Sequence, residues 1–180
     1  MSDYKAMLVP VREEETEELS MMATYMVEQH IQSYYGRRQK EYMLESFQSA
    51  DAIRRAMKDG EKYYWIDSIP AGEKESVLAM LDMCGYLSCS CQDHTIVITN
   101  LYIMEETRGR HLMRECMELL ARAEDLPEGM ERIRISIPEG YVDAIAVFEH
   151  IGFEKEGKEE ISIGKNYKLN CVNLSKAMIS

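Results

Sequence analysis

The segment Thr95–Gly109, Thr-Ile-Val-Ile-Thr-Asn-Leu-Tyr-Ile-Met-Glu-Glu-Thr-Arg-Gly, constrains the fold more than any other part of the chain. Ile96, Val97, Ile98, Leu101 and Ile103 make a nearly continuous apolar β-run, the pattern of a strand buried on both faces. A polar turn through Glu105, Glu106, Thr107, Arg108 and Gly109 follows. Leu112, Cys116, Leu119, Leu120 and Ala123 then recur at helical spacing, which predicts a helix from Arg110 to about Ala123. Strand, short turn, helix is a layout that aims backbone N–H groups at an anion, because the first amides of a helix lack intrahelical partners and the dipole favours negative charge there. Arg108 and Arg110 add two cations. Phosphate binding is one reading of this turn. An ordinary strand–helix joint with solvated arginines is the other, and the turn alone does not separate them.

The remaining chain supplies the context. Its 180 residues, 46% hydrophobic and 29% charged, fit one soluble domain spanning 1–180. No apolar run reaches the roughly 20 residues of a membrane span. Met1-Ser-Asp-Tyr-Lys lacks a signal-peptide pattern, so the cytoplasm is the expected location. Cys84, Cys89, Cys91, Cys116 and Cys171 form no Cys-x-x-Cys pair and read as reduced thiols, with no metal site expected. A net charge of −11 argues against nucleic acid as a partner. It fits a cationic substrate, and equally fits plain solubility.

Tyr4–Val11 reads as a strand, with Pro10 suggesting a sheet edge. Glu13 to about Ser33 reads as a helix with an acidic first turn and a stripe of Leu19, Met22, Met26 and Gln29 or His30. A second helix is expected from about Lys40 to Lys58, burying Met43, Leu44, Phe47, Ile53 and Met57 and stopped by Asp59-Gly60. Lys62–Ser68 is a strand, followed by a loop from Ile69 to Lys74. Ser76–Ser90 reads as a long strand with a bulge at Gly85. Gln92-Asp93-His94 is a turn. Met130–Pro138 alternates isoleucines with polar residues as a half-buried strand does. A helix from Val142 to Ile151 ends at Gly152. Phe153–Ile163 and Tyr167–Leu174 form a hairpin around Gly164-Lys165-Asn166. The order βααβββαβαββ implies an α+β domain with a mixed sheet.

Two segments carry a resemblance to the GNAT N-acetyltransferase superfamily. Leu101-Tyr102-Ile103 leading to Arg108-Gly109-Arg110-His111-Leu112-Met113 sits where that family has its acyl-CoA pyrophosphate loop, Arg/Gln-x-x-Gly-x-Gly/Ala. Ala144-Ile145 through Phe148 to Gly152-Phe153 resembles the family's Asn-x-x-Ala-Ile-x-Leu-Tyr-Glu-x-x-Gly-Phe. The resemblance implies a mostly antiparallel central sheet of about seven strands flanked by helices. It also implies acetyl-CoA as co-substrate, held by Leu101, Ile103, Arg108, Gly109, Arg110, His111, Leu112, Met113 and Phe148. The departures are His111 and Met113 at the two family glycines, Tyr141 at the family asparagine, and Phe148 at the tyrosine that often protonates the leaving thiolate.

The implied reaction is direct attack of a primary amine, on a small molecule or a protein, on the thioester. It needs a base for the amine, a donor for the oxyanion near Ile103 and, optionally, a proton for the thiolate. Glu105, Asn100 and Tyr141 are the candidate catalytic residues. Glu106, Asp93, His94, Asp67 and Asp82 are further base candidates, each weighed against an ordinary surface charge. The alternative is a GNAT-fold module that holds CoA or another ligand without efficient transfer. A homodimer is compatible with either reading.

Overall fold

Alternating apolar residues and turn-forming pairs set the strands, and the computed structural model describes residues 3–30, 34–72 and 82–178. The strands are β1 (Tyr4–Pro10), β2 (Lys62–Pro70), β3 (Asp82–Gln92), β4 (Thr95–Ile103), β5 (Arg132–Pro138), β6 (Glu154–Gly164) and β7 (Tyr167–Ala177). The helices are α1 (Thr16–His30), α2 (Arg37–Met43), α3 (Ala50–Lys58), α4 (Met113–Leu120) and α5 (Val142–His150). Among the described residues the strands form a seven-stranded sheet in the order β1-β2-β3-β4-β5-β7-β6. β4 and β5 run parallel, whereas β1–β2, β5–β7 and β6–β7 are antiparallel. This is the expected α+β architecture, with β1 at an edge as Pro10 suggested.

The chain divides into two compact units, one of residues 1–88 and 100–116, the other of 89–99 and 117–180. In the first, Leu19 and Ala23 of α1, Ile53 of α3, Tyr63 and Trp65 of β2 and Tyr86 of β3 form a buried cluster. The expected second helix is broken. It begins at Arg37, passes through a π-helical turn at Leu44–Gln48, and resumes at Ala50, where the Ser49 hydroxyl accepts the Ala52 N–H at 3.3 Å. The wider turn rotates the side chains that follow it. Phe47, expected inside, is 43% exposed, and Gln48 is buried in its place. Ile69 and Pro70 extend β2 rather than opening a loop. Positions 76–81 of the long strand and 31–33 of the first helix lie outside the described residues.

In the second unit, Ile133, Ile135 and Ile137 are buried while the side chains between them are half-exposed, as predicted. On the polar side Ser136 donates to Asn173 at 2.6 Å, and Asn173 donates to Glu159 at 3.1 Å. The turn Lys165-Asn166 joins β6 to β7 with both residues at positive φ, the twist that suits a two-residue hairpin. Asp93 and His94 do the same between β3 and β4. Helix α5 ends in a Schellman motif. Gly152 takes φ 97°, its N–H reaches Glu149 O at 3.0 Å, and the Phe153 N–H reaches Phe148 O at 3.0 Å. The rings of Phe148 and Phe153 meet edge-to-face at 4.9 Å, the apolar contact that accompanies this cap. Lys176 completes it by donating to Ile151 O at 2.7 Å.

Candidate acyl-CoA site

The site is built from the end of β4, the turn after it and the start of α4. β4 alternates buried Ile96 and Ile98 with half-buried Val97 and exposed Thr99, so it is buried on one face rather than two. Its ladder with β5 runs from Thr95↔Arg132 to Ile98↔Ile135, and Leu101–Ile103 lie beyond it. The Met104 N–H donates to Cys84 O at 2.7 Å, and Gly85 meets the backbone of Tyr102. A Cβ on Gly85 would stand 1.9 Å from Tyr102 O. Cys84 points to Ser68 and Arg110, while Tyr86, two residues on, points into the Leu19–Ile53 cluster. Residues two apart in a regular strand share a face. The switch between Cys84 and Tyr86 therefore marks an inserted residue, the expected bulge at Gly85.

The strand does not pass directly into the helix. Glu105–Arg110 form a 3₁₀ segment, His111 caps it, and α4 starts at Met113 and ends at Leu120. Thr107 is buried and locks the turn, its N–H and hydroxyl each reaching Met104 O at 3.0 Å. His111 adopts φ 54°, ψ 36°, the left-handed region. It stands where the resembled motif has glycine, and histidine enters this region more readily than most side chains. Leu112 is buried and its carbonyl accepts the Cys116 N–H at 2.9 Å, which leaves the amides of Met113, Arg114 and Glu115 at the open end of the helix. Arg108, Gly109 and His111 are exposed along this end, and Met113 is half-buried.

Arg110 does a different job from Arg108. Its guanidinium donates to Asp82 at 2.6 Å and to Ser68 at 2.8 Å and lies 4.4 Å from the centre of the Tyr4 ring. This fastens the turn to β1, β2 and β3. Glu115 is likewise engaged, accepting the Ala6 N–H at 2.6 Å.

Of the candidate catalytic residues, Glu105 is exposed at the start of the 3₁₀ segment. Asn100 lies in a one-directional relay. Tyr86 donates to Gln48 at 3.1 Å, Gln48 to Asn100 at 2.8 Å, Asn100 to Ser88 at 2.8 Å, and Ser88 to Glu61 at 2.6 Å. Burial pushes the Tyr86 phenol well up. It pushes Tyr102, 5.4 Å away ring to ring, up to about 12, with Tyr35 the second cause. Tyr141 caps the start of α5 in the second unit, its carbonyl accepting the Ile145 N–H at 3.0 Å. Phe148, in the same helix, is buried against Phe153. Sequence reading missed Gln48, Ser88, Glu61 and Tyr86. Only a lone glutamine within an apolar helical stripe hinted at them.

A 3₁₀ turn and a helix start with an exposed arginine beside them make a candidate anion-binding end. The family model "Acetyltransferase (GNAT) family" matches residues 24–153, and the chain belongs to that family. A GCN5-related N-acetyltransferase from Rhodopseudomonas palustris is similar, at 16% identity over 99% of both chains with TM-score 0.66. The PaiA N-acetyltransferase from Thermoplasma acidophilum, solved with coenzyme A, is 12% identical over 96% of this chain and 99% of its own, TM-score 0.64. Spermidine N-acetyltransferase from Vibrio cholerae is 12% identical over 96% and 93%, TM-score 0.58. No curated protein sequence matches the chain.

Proposed function

We propose that the protein is an acetyl-CoA-dependent N-acetyltransferase that moves an acetyl group to a primary amine of a small molecule or protein by direct attack. The observation that carries this is the left-handed His111 between a 3₁₀ turn and the open N-terminus of α4, with Arg108, Gly109 and His111 exposed beside it. Such an end accepts a pyrophosphate through backbone amides, and Arg108 adds a charge-assisted contact. In this reading Gly109, Arg110, His111, Leu112 and Met113 offer main-chain groups, and the Arg110 side chain holds the turn in shape. Leu101 and Ile103, beyond the β5 ladder, offer main-chain groups to the acyl arm and the oxyanion. The net charge of −11 favours a cationic acceptor. The cytoplasm remains the proposed location, and the five cysteines are free thiols.

Calorimetric titration with acetyl-CoA tests the site. The Arg108→Ala protein should lose about 1.5–3 kcal/mol of binding, roughly 10- to 150-fold in affinity. Unchanged affinity removes Arg108 from the site. A second reading, a GNAT-fold module that binds CoA with little transfer, is favoured by Phe148, which has no proton to give where the family has tyrosine. Thiol release from acetyl-CoA across a panel of amines separates the two.

A further inference from the structure

One buried acid has no role in the fold described above. Asp67, near the end of β2, is 8% exposed, and among the described residues its carboxylate has no hydrogen-bond or ion-pair partner. Burying an unpaired carboxylate is unfavourable, so such a group is a candidate for chemistry rather than for folding.

Its position relative to β4 gives the candidate content. Strand alternation places Asp67 on the β2 face that carries Tyr63 and Trp65, opposite Ser68. Ser68 lies 3.3 Å from the Cys84 thiol, so this end of β2 stands beside Gly85, and Gly85 stands beside the Tyr102 carbonyl. Gly85 contributes no side chain between them. Two strand spacings, about 9–10 Å, therefore separate the backbone at Asp67 from that at Tyr102–Ile103. Tyr86 and Tyr102, their rings tilted at 34° to each other, pack on the same face, and Tyr35 of the α1–α2 connection acts on Tyr102.

We propose that Asp67 is the general base of the transfer, accepting a proton from the ammonium form of the acceptor directly or through one water. This rests on the acetyltransferase reading. The ammonium gives one proton to the Asp67 carboxylate. The nitrogen lone pair then attacks the thioester carbonyl carbon, the C–N bond forms, and the C–S bond breaks with its electron pair leaving on sulfur. The second nitrogen proton passes to the thiolate or to water, and Asp67 releases its proton to solvent. Burial, with the charge of Asp82 second, pushes the Asp67 carboxyl up, which strengthens it as a base. Around it, Asp82 is paired with Arg110 at 2.6 Å, and Lys5, exposed on β1, stands opposite Ile69. The phenols on this face, Tyr63, Tyr86 and Tyr102, all have their titration pushed up by burial.

The test compares wild type, Asp67→Asn and Asp67→Glu in acetyl-CoA titration, in pH–rate profiles with the best amine of a panel that includes spermidine, and in thermal melts. Asp67→Asn should keep acetyl-CoA affinity, lose about 10²–10⁴-fold in kcat at neutral pH and lose the acidic limb of the profile, with Asp67→Glu recovering part of the rate. It should also melt above wild type. A carboxyl whose folded pKa is raised disfavours the native state increasingly as pH climbs above its unfolded value, so this gain should grow with pH and level off above the folded pKa. Turnover by Asp67→Asn within two-fold of wild type, or a lower melting temperature with unchanged pH profile, overturns the base assignment alone. A wild-type protein that binds acetyl-CoA but releases no thiol with any amine overturns the transferase reading and the base together.

Discussion

Replacing Gly85 by alanine should cost the protein more than any other single methyl group added to its strands. The built Cβ lies 1.9 Å from Tyr102 O, 2.9 Å from Tyr102 C and 3.1 Å from Ile103 Cα. All three are backbone atoms, which cannot rotate aside. Relief requires β3 and β4 to part by on the order of 1 Å, against normal carbon contacts of about 3.5–4 Å. The Met104 N–H to Cys84 O bond, now 2.7 Å, would then stretch beyond hydrogen-bonding range. Overpacking costs about 1–3 kcal/mol and a lost bond about 0.5–1.5. The reduced freedom of the unfolded chain offsets about 0.4–1 kcal/mol. The net expectation is roughly 1–4 kcal/mol, or about 2–16 °C in melting temperature for a chain of this size. Urea unfolding followed by circular dichroism reads it, with Gly109→Ala as the control, since nothing stands within 4 Å of that position. The control should stay within about 0.5 kcal/mol of wild type. A Gly85→Ala protein equally close to wild type, with an unchanged denaturant slope, would refute the close approach. Because the displaced backbone adjoins Ile103, acetyl-CoA affinity should fall in parallel.

Gln48→Leu removes the centre of the Tyr86–Gln48–Asn100–Ser88–Glu61 relay. It leaves the buried Tyr86 hydroxyl and the half-buried Asn100 carbonyl without their partner, and urea melts should show a loss of about 2–4 kcal/mol. A loss under 0.5 kcal/mol would mean the relay is slack. The Cys116 thiol is buried and pushed up to about 12, so at pH 8 it stays a neutral thiol in the folded protein. A thiol reagent should therefore spare Cys116 and the other buried cysteines in native protein, react first at half-exposed Cys91, and reach all five only after unfolding. Rapid native labelling of Cys116, mapped by mass spectrometry, would contradict that burial.

Legibility followed the range of the interactions. Elements set by local patterns were readable. The alternation in β5, the two-residue hairpin turns and the Gly-Phe end of α5 are decided by residues within a few positions of one another. The bulge at Gly85 belongs with them, because a glycine inside an apolar strand has few other uses. The candidate loop was readable as a motif but not in shape. The 3₁₀ segment and the left-handed His111 come from the Thr107–Met104 lock, where the sequence suggested a helix from Arg110.

What the sequence determined by itself is the seven strands, most of the helices, their mixed order and the segment proposed to hold an acyl-CoA, because periodicity, turn residues and helix ends act locally. Only the tertiary structure decided which polar groups are bound and which are left over. Arg110 and Arg108 look alike in sequence, yet one is fastened to Asp82 and Ser68 across 28 and 42 residues and the other is exposed. Asn100 looks like a lone polar residue in a strand, yet Gln48, 52 residues away, reaches it from a π-helical turn. Asp67 looks like any strand-end acid until packing covers most of it without supplying a partner among the described residues. Satisfaction and desolvation depend on atoms brought together from distant parts of the chain, and no local pattern encodes them.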